Sequence, residues 1–202
     1  PGSYEFSVRV TGSDNKATEK RFVMRVLNPL SVPFFEGFEH GGSIPAGWTQ
    51  EQGSGTAPWV FRYGSPLANP KPPAPYAGSY NACCYASSYK STKLITPMLN
   101  LGSNTPNTKV TFWHCMAPYS GRQDKLNIWY RPNLTSAWVF LTNYTANTSV
   151  WTERTVELTN TTSTCYLAFE ALTAGGYGVC LDDVGITGDL SPYLSWLSTH
   201  FT

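Results

Sequence analysis

Hydrophobic and polar residues alternate with a period of two along the first part of the chain, which is the pattern of half-buried β-strands. Every second residue of segment 4–10 (YEFSVRV) is apolar, and a return strand at 21–27 (RFVMRVL) follows a polar turn. This pattern predicts a β-hairpin. Because a lone hairpin is only marginally stable in water, we expect this one to dock on another surface.

Beyond residue 33 the pattern predicts many short strands with no helix between them. Each run is rich in β-branched and aromatic residues and is bounded by turn residues. The runs are FFEGFE (34–39), KLITPMLNL (93–101), KVTFWHCM (109–116), KLNIWYR (125–131), WVFLT (138–142), WTERTVEL (151–158), CYLAFEAL (165–172) and GVCLDDVGI (178–186). They predict an all-β protein with a jelly-roll β-sandwich.

Two segments interrupt this pattern. Residues 52–81 are rich in Gly, Pro, Ser and Tyr, and they predict a long structured loop, because disordered loops of this length are uncommon within compact domains. Near the end of the chain, Ser191 suits a helix cap and Pro192 suits a first helical turn. The apolar residues after them share one helical face, which predicts a short C-terminal helix.

Composition narrows the class of protein. Of the 202 residues, 41% are hydrophobic, so a sizeable core can be buried, and only 13% are charged. Fourteen basic and 13 acidic residues give a net charge of +1, without the basic stripe that nucleic-acid binding requires. No apolar run approaches the roughly 18 residues of a membrane span. We therefore expect neither a nucleic-acid partner nor a membrane span.

The five cysteines predict structural disulfides in an extracellular setting. They are Cys83, Cys84, Cys115, Cys165 and Cys180. No C-x-x-C pair occurs, which excludes a zinc ribbon and a thioredoxin motif. We expect one bridge among Cys115, Cys165 and Cys180, and a second that involves Cys83 or Cys84.

Catalytic motifs are absent from the sequence. It contains no G-x-S-x-G, no H-E-x-x-H and no Gly-rich phosphate loop. Several carboxylates are available, but no spacing between them selects the pair that a glycosidase needs. His40 adjoins a glutamate and His114 lies in an apolar strand, so both are interpreted as structural. We predict that the chain is not an enzyme.

Five segments in a fixed order resemble a known family of domains. They are FEGFEHGGSIPAGW, STKLITPMLNL, KVTFWH, CYLAFEA and VCLDDVGI. Together they resemble the MAM-like jelly rolls of bacterial surface proteins, which include the cleaved-adhesin domains of gingipain-type haemagglutinins and the "choice-of-anchor J" domains. The resemblance covers residues 34–188. It implies a non-catalytic module of a secreted or cell-surface multidomain protein, linked to adhesion through glycan or extracellular protein and often carrying structural calcium.

The remaining segments are assigned to neighbouring domains of the same parent chain. Residues 1–27 resemble the last two strands of an immunoglobulin-like (PKD-like) domain, and residues 28–33 are interpreted as a linker. Residues 189–202 are interpreted as the start of a following linker or module. Since the chain begins with Pro1, we expect an internal or processed segment of a longer protein.

Three carboxylates are candidates for a calcium site. Glu39 lies at the first strand of the domain, and Asp182 and Asp183 lie near the last strand, which is its neighbour in a jelly roll. Carboxylates brought together repel one another unless a hard cation with oxygen ligands intervenes. The resemblance implies that Glu39 and Asp182 are ligands, with Asp183 second and loop carbonyls completing the site. The alternative is that all three are ordinary strand-end carboxylates.

Aromatic residues of the 52–81 loop are candidates for ligand contact. Trp59, Tyr63 and Tyr76 stand beside Asn, Ser and Gly, and exposed rings of this kind stack on sugars or anchor a protein partner. The alternative is that they pack the loop onto the sandwich. The tryptophans in or beside the strands are interpreted as mostly core, and they are Trp48, Trp113, Trp129, Trp138 and Trp151.

Two functions follow from these observations. The first is a binding and adhesion module that recognises glycan or protein. The second is a structural spacer that binds no free ligand. A solvent-exposed aromatic cluster would favour the first, and fully packed aromatics would favour the second.

Overall fold

The structure is a computed structural model that describes residues 2–26, 29–102, 107–159 and 162–188. The strands are, in chain order, β1 (Gly2–Thr11), β2 (Ala17–Val26), β3 (Leu30–Ser31), β4 (Phe34–Glu36), β5 (Thr49–Ser54), β6 (Trp59–Arg62), β7 (Asn81–Cys84), β8 (Lys90–Ile95), β9 (Leu99–Asn100), β10 (Lys109–Met116), β11 (Lys125–Arg131), β12 (Val139–Tyr144), β13 (Thr148–Glu157), β14 (Thr164–Thr173) and β15 (Val179–Thr187). Over these four ranges, no helix is long and apolar enough to cross a membrane. The predicted C-terminal helix falls outside the described residues.

The predicted hairpin is present. Strands β1 and β2 pair antiparallel from Gly2 with Val26 to Thr11 with Ala17, and they form a two-stranded sheet of their own. Phe6 and Phe22 stack across it at 5.3 Å, yet each keeps more than a third of its surface exposed. Membership of this hairpin in an immunoglobulin-like domain stays a prediction.

Two further sheets form the sandwich. The six-stranded sheet has the order β13-β10-β15-β7-β6, with β4 beside β15. The seven-stranded sheet has the order β12-β11-β14-β8-β5, with β9 beside β14 and β3 beside β9. This architecture confirms the predicted all-β jelly-roll sandwich. Leu30 and Ser31, which were predicted as linker, pair with β9 and so join the seven-stranded sheet.

The core lies between the two sheets. Phe112 of β10 and Leu181 of β15 meet Ile128 of β11 and Phe169 of β14, and none of the four side chains is exposed. Burying a side chain of this size contributes roughly 1.5–3 kcal/mol. Because side chains alternate along a strand, the residues directly before and after each of these four on its own strand point to the outer face of its sheet.

Strand boundaries differ from the prediction at three places. The predicted strand 34–39 ends at Glu36, because Phe38 adopts φ 60°, outside the extended region. The predicted strand 93–101 divides into β8 and β9 around Pro97, which has no N–H to donate. The predicted loop 52–81 contains β6 and reaches β7 at its last residue.

Candidate functional site

The structure brings the carboxylates of Glu39 and Asp182 to the backbone of residues 76–80, and Asp183 follows Asp182 in β15. We call Glu39, Asp182, Asp183 and this segment the carboxylate clasp. Asp182 is fully buried in β15, and its Oδ2 accepts hydrogen bonds from the backbone N–H groups of Tyr76 at 2.9 Å and Ala77 at 3.2 Å. Its Oδ1 accepts from the N–H of Asp183 at 2.9 Å. One side chain of the last strand therefore fixes the start of the segment.

Glu39 fixes the end of the same segment. Its Oε1 accepts hydrogen bonds from the backbone N–H groups of Ser79 at 2.9 Å and Tyr80 at 2.8 Å. Gly78 lies next to these donors with φ +62°, and a Cβ added there would collide with the Glu39 carboxylate. Glycine adopts this φ without strain, and its missing Cβ leaves room for the Glu39 carboxylate.

Two carboxyl groups of the clasp, Asp182 and Asp183, have raised pKa values. Burial raises the pKa of Asp182 to about 7, and the hydrogen bonds from Ala77 and Asp183 oppose that rise. Burial also raises the pKa of Asp183, and the negative charge of Glu39 raises it further. Within the described ranges no three side chains of His, Cys, Asp or Glu form a metal-binding group. The Asp182 oxygens face backbone amides, so this carboxylate acts first as an anchor for the segment.

An aromatic cluster adjoins the clasp on the outer side of the six-stranded sheet. The ring of Tyr76 stacks on Trp113 with centroids 3.7 Å apart and an interplanar angle of 11°. Trp151 meets Tyr76 edge-on at 6.5 Å, and its indole N–H donates to the carbonyl of Ala74 at 2.9 Å. Trp113 pairs with Asp182 across β10 and β15. Tyr76 remains 42% exposed, so the cluster presents one ring to solvent.

The three predicted contact residues have different outcomes. The prediction for Trp59 is wrong, because its ring is only 2% exposed and its Nε1 donates to the Thr92 carbonyl at 3.0 Å. Alternation along β6 turns Trp59 inward together with Phe61. Tyr63, just after β6, is 61% exposed, and Tyr76 is the partly exposed ring described above.

The sequence did not predict a second surface, which lies on the seven-stranded sheet. The outer face of the seven-stranded sheet carries Trp129 and Trp138, which were expected in the core but are partly exposed. Trp129 Nε1 donates to Glu170 at 2.8 Å, and the Arg131 guanidinium lies 4.2 Å from the centre of the Trp138 ring. The signal for this surface was position along KLNIWYR, because every second residue of a strand shares a face and Trp129 and Arg131 therefore lie opposite the core residue Ile128.

The cysteines do not form the predicted bridges in this structure, where all five are free and buried. Cys83, Cys180 and Cys115 occupy paired positions on β7, β15 and β10, with the sulfur atoms of Cys83 and Cys180 at 3.2 Å. Burial raises the pKa of Cys115 to about 12. A thiol with this pKa carries almost no thiolate at neutral pH and is a poor nucleophile.

His114 also lacks the properties of a catalytic base. It is fully buried, and its Nδ1 accepts a hydrogen bond from Arg154 Nε at 3.2 Å. Burial lowers the pKa of His114 to about 4, and the positive charge of Arg154 lowers it as well. A neutral ring with no solvent access has a structural role, as predicted. His40 pairs with Glu36 at 3.0 Å on the surface.

Comparisons with known proteins identify the family and the fold. A family model described as "MAM domain, meprin/A5/mu" matches residues 37–189. The K1 cleaved adhesin domain of Lys-gingipain from Porphyromonas gingivalis W83 is 22% identical, with a TM-score of 0.58 over 79% of this chain and 99% of that chain. The K3 cleaved adhesin domain of the same protein is 22% identical, with a TM-score of 0.54 over 76% of this chain and 96% of that chain.

Carbohydrate-binding modules share the fold at lower identity. A module solved in complex with β-1,4-galactotriose, TmCBM61, is 15% identical, with a TM-score of 0.52 over 76% of this chain and 94% of that chain. The CBM22-1 xylan-binding domain of Paenibacillus barcinonensis Xyn10C is 12% identical, with a TM-score of 0.51 over 82% of this chain and 99% of that chain. At these identities the likeness establishes the fold alone. No curated protein gives a significant match.

Proposed function

The chain belongs to the MAM domain family, and from this premise we propose that it is a non-catalytic adhesion module that binds glycan outside the cell. Two lines of support agree. The cleaved adhesin domains share its fold, as do modules whose descriptions name galactotriose and xylan as ligands. Cys115 is a buried, poorly ionised thiol and His114 is a buried neutral ring, so neither suits nucleophilic or acid–base catalysis.

The observation that carries the proposal is the presentation of Tyr76. One face of its ring lies on Trp113, while 42% of the residue stays exposed. Its backbone is held by the buried Asp182, so the ring is ordered before any ligand arrives. Pre-organised aromatic rings lose little conformational entropy on binding, and their flat apolar surface suits the apolar face of a pyranose. Tyr63 offers a second exposed ring from the same 52–81 segment.

Structural calcium at the clasp is the second part of the proposal. Calcium accepts carboxylate and carbonyl oxygens in flexible geometry. The like charges of Glu39 and Asp183 lie close enough to raise the pKa of Asp183, which is the electrostatic condition that a cation relieves. Of the predicted ligands, Glu39 and the second choice Asp183 would supply carboxylate oxygens, and loop carbonyls would complete the shell. Asp182 was preferred over Asp183 from the sequence, but both of its oxygens accept hydrogen bonds from backbone N–H groups, so it would hold the segment in place. The cation would tie the segment 76–80 to the last strand.

A glycan microarray followed by calorimetry on the best oligosaccharide tests the proposed function. We expect Tyr76→Ala to weaken binding at least tenfold, which corresponds to about 1.4 kcal/mol, and Tyr76→Phe to retain most of it. Tyr119→Ala is the matched control, because Tyr119 is also half-exposed but lies on another loop. If wild-type protein with calcium binds no glycan on the array, the glycan-binding proposal is wrong.

A further inference from the structure

The outer face of the seven-stranded sheet carries an ordered row of polar side chains. Glu51, Lys93, Glu170 and Asn127 occupy paired positions on the adjacent strands β5, β8, β14 and β11. Glu170 accepts hydrogen bonds from Lys93 at 3.2 Å and Asn127 at 3.0 Å, and Lys93 also lies 3.8 Å from Glu51. Glu170 is only 8% exposed although it faces away from the core, so this row is held firmly.

The row fixes the ring of Trp129. The indole N–H donates to Glu170 at 2.8 Å, and the Lys93 ammonium lies 5.7 Å from the ring centre. Phe140 meets the same ring edge-on at 5.2 Å with an angle of 74° and remains 48% exposed. A ring with a hydrogen-bonded edge and a packed neighbour cannot rotate freely, so Phe140 and Trp129 form a rigid apolar step beside the polar row.

Arg131 builds the other end of this surface. Its guanidinium lies 4.2 Å from the ring centre of Trp138 and 5.5 Å from that of Tyr166, and it reaches Glu51 at 3.9 Å. Arg131 Nε and Trp138 Nε1 are buried and have no hydrogen-bond partner within the described part of the chain. Both N–H groups lie beneath the surface, out of reach of a ligand, so this end of the face offers its aromatic rings rather than these donors.

The charges of this surface cancel. Lys93 and Arg131 both reach the carboxylate of Glu51, and Glu170 neutralises Lys93 from the other side. The formal charges of these four side chains sum to zero, so together they give no net attraction to an acidic or a cationic ligand. The chemistry that fits is an uncharged chain with flat apolar faces and hydroxyl edges, which is a neutral glycan.

We propose that this outer face, bounded by Trp129, Phe140, Arg131 and Trp138, is a second binding surface that takes a neutral glycan chain. It goes beyond the Tyr76 surface, because it lies on the other sheet and shares no residue with it. Tyr76 covers Trp113 of the six-stranded sheet, whereas this surface belongs to the seven-stranded sheet. The outer faces of the two sheets of a sandwich point away from each other, so one module holds two glycan chains at once.

Calorimetry of the full 202-residue chain with neutral hexasaccharides tests the proposal. The probes are β-1,4-linked oligomers of glucose, xylose, mannose and galactose, with an oligogalacturonate as the acidic arm. We expect the wild-type chain to bind two neutral oligomers. Tyr76→Ala should weaken the first site and leave the second, and Phe140→Ala in that background should weaken the second at least tenfold. Trp138→Phe, which keeps an aromatic ring at this end of the face, should weaken it less. Val150→Ala, exposed on the other sheet, should leave it unchanged.

The outcomes separate this proposal from the Tyr76 surface. Binding that Tyr76→Ala abolishes and Phe140→Ala leaves intact would overturn the second surface and support the first. Binding lost in Phe140→Ala but unchanged in Tyr76→Ala would support the second surface and overturn the first. The neutral-glycan assignment would be overturned if the oligogalacturonate bound more tightly than every neutral oligomer. It would also be overturned if no oligosaccharide bound to the Tyr76→Ala variant. Thermal melts of each variant verify that it is folded.

Discussion

The Oδ2 atom of Asp182 lies 2.9 Å from the backbone nitrogen of Tyr76, which is 106 residues earlier in the chain. A buried carboxylate of the last strand thus sets the position of an exposed aromatic ring. Hydrogen bonds from backbone N–H groups contribute about 0.5–1.5 kcal/mol each when the acceptor carboxyl is protonated and about 1.5–3 kcal/mol when it is charged. The same hydrogen bonds therefore stabilise the clasp and hold Tyr76 in its exposed position, so variants of the clasp should change both the stability of the protein and its binding through Tyr76.

Gly78→Ala tests how tightly the clasp is built. The substitution forces alanine into φ +62° and pushes its Cβ into the Glu39 carboxylate, which then loses Ser79 and Tyr80. Gly41→Ala is the matched control, because Gly41 has the same φ and no neighbour within 4 Å of the added Cβ. We expect Gly41→Ala to destabilise by about 1–2 kcal/mol in urea unfolding and Gly78→Ala by roughly 2 kcal/mol more. Equal losses would mean that Glu39 moves aside without consequence.

Calcium should raise the melting temperature of the wild-type protein. A ligand that binds only the folded state stabilises it by about 2.7 kcal/mol at a hundredfold excess over Kd, which is roughly 5–10 °C for a domain of this size. Glu39→Ala should remove this shift, whereas Glu157→Ala, at an exposed position of β13, should keep it. The measurement is a pair of melts, one with excess calcium and one with chelator. Identical wild-type melts would refute a stabilising calcium site.

Much of the architecture could be predicted from the sequence because runs of seven or eight residues that are rich in β-branched and aromatic residues and bounded by turn residues are typical of strands. The predicted runs 109–116 and 125–131 coincide with β10 and β11. Strand β6 has only four residues, from Trp59 to Arg62, and follows a proline, so no local pattern separates it from a loop. That is why Trp59 was expected at the surface.

Only the part of the candidate site that depends on the order of the strands could be predicted from the sequence. Glu39 and Asp182 were expected near each other because the first and last strands of a jelly roll are neighbours, and both hold the segment 76–80. Their backbone partners depend on the path of a Gly- and Pro-rich segment, which no periodicity encodes. For Trp129, residue type favours the core, whereas its position two residues from Asn127 and Arg131 indicates the outer face. In the structure the position decides.

Thiol reactivity should follow burial. None of the five cysteines is exposed, and burial raises the pKa of Cys115 and Cys165 to about 12. We expect almost no reaction with an aromatic disulfide reagent in native buffer and five equivalents in denaturant without reductant. Three equivalents in denaturant would instead mean one bridge, for which Cys83 and Cys180 are the nearest pair at 3.2 Å. A Cys165→Ser variant should lower the denatured count by one in either case.

His114 should make the protein sensitive to mild acid. Arg154 and Tyr144 face the ring, and burial followed by the Arg154 charge lowers the pKa of His114 from 6.5 to about 4. Because the unfolded chain binds this proton at a higher pH than the folded chain does, stability is complete above pH 6.5 and falls as the pH drops towards 4. The loss from this one group amounts to about 3 kcal/mol. His114→Gln keeps an acceptor for Arg154 but does not titrate, so the difference between its urea-unfolding free energy and that of wild type should change by that amount between pH 7 and pH 4. Parallel curves for the two proteins across this range would show that His114 is not the group responsible for acid sensitivity.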